Sequence, residues 1–110
     1  MIEYEQQLAI HKACGWTKEF PDGGRLLLPY KWYNPTTKTY LLEMPDYLYD
    51  LNAMREVEKL LPDRQWSDAL MRVIQDTENC GAVEARYKTA KATAAQRAEA
   101  YLRTIGKWKD

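Results

Sequence analysis

The stretch from Thr93 to Gly106 leaves this chain little choice of conformation. Thr93 with Gln96 three residues later makes a capping box, in which each side chain satisfies a backbone N–H that a helix start leaves open. Ala94, Ala98, Tyr101, Leu102 and Ile105 then line one helical face, and Gly106 supplies the left-handed stop. The apolar side of this helix is expected to anchor the molecule, while its arginines stay on the flanks.

Upstream, Pro and Gly cut the chain into short elements. From Ile2 to Cys14 good helix formers run without a breaker, and Gly15 stands where a left-handed cap belongs. This predicts a first helix, with Trp16 folding back on it. Phe20-Pro21-Asp22-Gly23-Gly24 is turn chemistry. Two aromatic-rich extended runs, 25–33 and 38–42, flank the turn Asn34-Pro35-Thr36-Thr37 and predict a β-hairpin whose Pro29 belongs at an edge or bulge. Asp50 caps a second helix that stops at Pro62. Asp63 caps a third, striped by Trp66, Ala69, Leu70, Val73 and Ile74, and the short connector predicts that the two pack as an antiparallel hairpin. Val83, Ala85, Tyr87 and Thr89 alternate with charged residues, so a third strand is expected there, with helix left open by the Ala-rich surroundings. The fold class expected is α+β, a three-layer α/β/α sandwich with a small antiparallel sheet and about four helices.

With 110 residues, 45% of them apolar, the chain supports one core and not two, so residues 1–110 form a single domain. No apolar run approaches the roughly 20 residues of a membrane span, and the acidic N-terminus is unlike a secretory leader. Cys14 and Cys80 are too few for a disulfide framework, and a reduced cytoplasmic protein is expected.

Sixteen basic and 16 acidic residues cancel, which disfavours non-specific binding to DNA, RNA or an acidic membrane. The charges are nevertheless polarised. Residues 1–85 carry nine basic and 14 acidic groups, and residues 86–110 carry seven and two. A basic C-terminal quarter suits an anionic ligand or contacts between copies of the chain. On the last helix Arg97 and Thr104 fall beside Tyr101 at the edge of the buried stripe, where a guanidinium lies next to an aromatic ring, a geometry suited to phosphate or a nucleobase. Arg103 occupies the other flank, with Glu99 four residues back as an ordinary helix partner. Eight Tyr, four Trp and one Phe are a heavy aromatic load, concentrated around the hairpin and its exit at Tyr47 and Tyr49. That cluster reads as a half-buried sheet face, an oligomer contact or a ligand wall. The candidate ligand-binding residues are therefore Arg97, Arg103, Tyr101, Thr104 and Tyr47.

The inventory for catalysis is poor. His11 is the only histidine, a zinc set of His11, Cys14 and Cys80 lacks a fourth ligand, and Asp50 of the pair Asp46 and Asp50 already has a capping role. Neither a Walker-type loop nor a dinucleotide fingerprint is present. No enzyme activity, cofactor or metal is expected.

The segments Ala13-Cys14-Gly15-Trp16, Pro45-Asp46-Tyr47, Asp50-Leu51-Asn52-Ala53-Met54 and, most specifically, the run from Ala92 to Trp108 resemble those of small phage and prophage proteins grouped as the phage ABA sandwich domain. The resemblance runs in the family's order from the first helix to the end and departs from it between Cys80 and Lys91. It implies an α/β/α sandwich, in a family most of whose members have no assigned activity. Architecture, size and a basic C-terminal helix are also similar to the Thoeris anti-defense protein 1 group, oligomeric sponges for nucleotide-derived immune signals such as cyclic ADP-ribose isomers and cyclic oligonucleotides. That similarity implies a non-catalytic, homo-oligomeric binder of a small anionic nucleotide in the host cytoplasm. A phage structural or regulatory protein acting through protein–protein contacts, and a small hydrolase of the same ligands, are the alternatives.

Overall fold

The computed structural model describes residues 1–19, 31–61 and 63–109, without the side chains of 63 and 64. The class is α+β. In chain order the elements are α1 (Glu3–Ala13), β1 (Thr17–Glu19), β2 (Lys31–Asn34), β3 (Thr39–Leu41), α2 (Leu51–Glu58), α3 (Asp63–Glu78), α4 (Ala82–Lys88), a 3-10 turn (Thr89–Lys91) and α5 (Ala94–Thr104). Five helices among the described residues is one more than expected. The predicted hairpin forms around the 34–37 turn between β2 and β3, whereas the turn at 20–24, residues 25–30 of its first arm with Pro29, the stop at Pro62 and the capping side chain of Asp63 lie outside the described residues.

The sheet is antiparallel in the order β1-β2-β3. Trp32 stands opposite Lys18 and Leu41, and Tyr33 stacks on its cross-strand neighbour Tyr40 with ring centres 4.7 Å apart. The turn between β2 and β3 is organised by Asn34, whose Oδ1 accepts from the Thr36 and Thr37 N–H groups at 3.0 and 3.4 Å. The third strand therefore exists but comes from 17–19. Residues 83–89, expected as that strand, are helix and 3-10 turn instead. Ala85 is buried against α3, while Glu84 and Lys88 pair across one helical turn at 3.4 Å.

The last helix lies between two clusters of apolar side chains. On one side Ala98, Tyr101 and Leu102 meet Ile10 of α1 and Met54 and Val57 of α2. On the other Ala100 meets Leu70, Val73 and Ile74 of α3, together with Ala85 and Ala92. Alanines at the crossing let α3 and α5 approach closely, and theirs is the most extensive contact between elements. Each fully buried Leu or Ile in these clusters contributes about 1.5–3 kcal/mol. The expected α2–α3 hairpin is not the main packing unit. Each of these helices packs on α5, in a different cluster, because their apolar stripes face opposite sides of it.

Among the described residues the sheet meets α1 through Trp32 and Asn34. Trp32 meets the His11 ring edge-on at 4.5 Å, and Asn34 Nδ2 donates to the Cys14 carbonyl at 3.2 Å. Gly15 turns the chain toward the sheet at φ +96°, a left-handed conformation that suits glycine. No helix of the described residues is long and apolar enough to cross a membrane.

Candidate functional site

The capping box of α5 forms as the sequence predicts, with Gln96 N–H donating to Thr93 Oγ1 at 3.1 Å and Thr93 N–H donating to Gln96 Oε1 at 2.9 Å. Gln96 also donates from Nε2 to Thr77 Oγ1 at 3.0 Å and Glu78 Oε2 at 3.1 Å, tying the start of α5 to the end of α3. These contacts fix the rotation of α5 and hence where its arginines point.

Arg97 is turned inward. Its Nη1 donates to both oxygens of Glu58 at 3.1 and 3.0 Å, Nη2 to the Thr89 carbonyl at 3.2 Å, and Nε to the Ala92 carbonyl at 3.4 Å. The guanidinium lies 5.3 Å from the centre of the Trp66 ring. Burial holds the Glu58 carboxyl above its ordinary value, against the opposing pull of Arg97. Arg97 thus pins α5 to α2 and to the 3-10 turn.

Tyr101 and Tyr47 are core residues. Tyr101 lies in the cluster against which Cys14 packs, and Tyr47 Oη lies 2.6 Å from His11 Nδ1. Burial raises both phenols well above their ordinary value, and it raises the Cys14 thiol too. Cys80 sits in the other cluster, so the sequence-level set of His11, Cys14 and Cys80 is divided between the two sides of α5. Among the described residues no three His, Cys, Asp or Glu side chains gather to hold a metal ion. Asp50 caps α2, accepting from the Asn52 and Ala53 N–H groups at 3.0 and 3.3 Å.

Arg103 and Thr104 remain at the surface and share one recess of about 700 Å³. Gln65, Asp68, Ala69 and Arg72 of α3 form one wall, and Arg103, Thr104, Gly106 and Trp108 form the other. Arg103 bonds Glu99 Oε2 at 2.8 Å and reaches Asp76 Oδ2 only loosely, at 3.7 Å. Its guanidinium lies 5.7 Å from the Trp108 ring centre. The Thr104 hydroxyl donates to the Ala100 carbonyl at 2.8 Å and keeps its lone pairs. Arg72 is exposed and makes no ion pair among the described residues. Trp108 is brought back over the helix end by a Schellman turn. Gly106 adopts φ +75°, its N–H bonds the Arg103 carbonyl at 3.2 Å, and Lys107 N–H bonds the Leu102 carbonyl at 2.8 Å.

Of the five residues expected at a site, the structure therefore brings together Arg103 and Thr104 and holds Arg97, Tyr101 and Tyr47 inside. No family model, curated protein or solved structure matches the chain. Arg72 and Trp108 were missed as site residues. Gln65, Asp68, Ala69 and Arg72 do carry a signal, since they recur at helical spacing along one side of α3.

Proposed function

We propose that the chain is a non-catalytic phage anti-defense protein that sequesters a small nucleotide-derived immune signal, a cyclic nucleotide or a cyclic ADP-ribose-like molecule, in the host cytoplasm. The observation that carries this reading is the convergence of Arg72 and Arg103 on one recess with Trp108 in its wall. Two guanidiniums suit phosphate oxygens through paired N–H donors, and an indole suits a base. Of the two acids on Arg103, Asp76 is loose and well exposed, so a phosphate displaces it at small cost while the closer bond to Glu99 stays in place. The resemblance to the phage ABA sandwich and Thoeris anti-defense groups points the same way. Homo-oligomers fit the polarised charge, and light scattering is expected to report more than one chain per particle.

Isothermal titration with a panel of cyclic nucleotides and cyclic ADP-ribose isomers tests this. One of them is expected to bind, to be recovered at unchanged mass after the protein is denatured, and to lose affinity by about tenfold or more in Arg72→Ala/Arg103→Ala. Heat from none of the panel sinks the reading, and a changed mass converts it to a hydrolase. Protein–protein contacts are the second reading. Val83 and Tyr87, one turn apart on α4, are 73% and 79% exposed, as apolar contact residues of a partner-binding helix would be.

A further inference from the structure

Beyond Gly106 the chain runs between two recesses. Gly106 and Trp108 face the recess that holds Arg103. Lys107 and Lys109 face a separate cleft against α1. That cleft has a volume of about 660 Å³ and is lined by Met1, Leu8, Ala9 and Ala13, with Lys12, Lys107 and Lys109 at its rim and Glu5 as its one acid among the described residues. Glu5, Leu8, Ala9 and Lys12 stand one and two turns apart on α1, so the helix presents apolar groups flanked by charge along one face.

We propose that this cleft binds a small single-chain amphiphile, an alkyl chain carrying a phosphate monoester head. Three features of the cleft specify that class. The floor is aliphatic and bears no aromatic ring, so it suits an alkyl chain and offers a base nothing to stack on. Among the described side chains three lysines against one glutamate leave a charge of +2 around the cleft, which matches the roughly −1.5 to −2 of a phosphate monoester at neutral pH. Lys12, Lys107 and Lys109 are exposed and make no ion pair among the described residues, so a head group there displaces no internal partner. The volume lies within the range of about 300–1,000 Å³ usual for small-molecule sites. A bilayer surface fits less well, because it cannot enter a concave cleft to reach Leu8 and Ala9. This inference goes beyond the nucleotide reading and shares no lining residue with that recess.

Octyl phosphate, titrated below the concentration at which it aggregates, is the probe, followed by methyl NMR. Saturable shifts confined to Met1, Leu8, Ala9 and Ala13 are expected. Lys12→Ala/Lys107→Ala/Lys109→Ala is expected to weaken binding by about tenfold, since each rim charge contributes modestly. The three lysines are exposed, so the variant keeps its fold, and its unchanged methyl spectrum without ligand verifies that. Inorganic phosphate and uncharged octyl glucoside are expected to leave these methyls in place. Shifts that are absent or spread over the whole chain overturn the proposal, as does undiminished binding in the triple variant. Octyl glucoside or octanoate matching octyl phosphate overturns the dianionic head, and response to phosphatidic acid vesicles alone would transfer the site to a membrane surface.

Discussion

Arg97 and His11 show how a polar side chain is held in this core. The Arg97 and Glu58 side chains are 10% and 13% exposed, so each depends on the other for its solvation. Removing one leaves the other charged and buried, which costs about 3–5 kcal/mol, whereas apolar replacement of both is often neutral. Arg97→Met is expected to lower the urea midpoint sharply, and Arg97→Met/Glu58→Leu to restore most of it. If the double variant is no more stable than the single one, the pair is not what pins α5. His11 is fully buried, stacked on Trp16 at 5.2 Å, with Nδ1 against Tyr47 and, among the described residues, no hydrogen-bond partner for Nε2. Burial lowers its pKa from 6.5 to about 4. The unfolded chain takes up the proton first as pH falls, so this stabilisation is complete above pH 6.5 and is lost down to about pH 4. At about 1.4 kcal/mol per pKa unit the loss approaches about 3 kcal/mol. Denaturant midpoints between pH 7 and 4 are expected to fall accordingly, and to fall much less in His11→Gln. An equal fall in that variant would assign the acid sensitivity to carboxylates.

At the level of elements, what the sequence made legible is what local chemistry determines. The cap, stripe and stop of α5 lie within 14 residues of each other, and the Asn34 turn and the Asp50 cap use neighbouring groups. Residues 82–88 misled because Val83, Ala85, Tyr87 and Thr89 alternate without sharing a buried face. Only Ala85 is buried, and alanine serves helix packing as well as it serves a strand. The first strand carries no pattern at all, its three residues Thr17, Lys18 and Glu19 being exposed, and it forms because β2 offers unpaired backbone groups. The site divides in the same way. The Arg103–Glu99 pair spans one helical turn and can be read from spacing, but the acid that captures Arg97 lies 39 residues earlier on α2. No local pattern reveals such a partner, and the border position of Arg97 on its helix is equally consistent with facing a ligand.

For the whole molecule, the placement of α5 between two clusters makes stability unequal across the fold. Opening α5 exposes both clusters at once, so its amides should exchange with solvent only through global unfolding. The strands belong to neither cluster. Among the described residues Trp32 on His11 and Asn34 on the Cys14 carbonyl tie them to α1, and β1 and β3 stand at the two ends of the sheet. The sheet can therefore loosen while the helices stay packed. Native-state hydrogen exchange is expected to give the amides of Tyr101 and Leu102 on α5 and Val73 and Ile74 on α3 a common, highest protection, with those of β1 and β3 exchanging at least about a hundredfold faster. Equal protection throughout would mean that the sheet unfolds with the helices as one unit, and that the His11 contact couples them more strongly than its area allows. The same gradient separates the two proposed ligand sites, since the recess at Arg103 is walled by α3 and the end of α5, whereas the cleft is formed by α1 and the segment that follows α5.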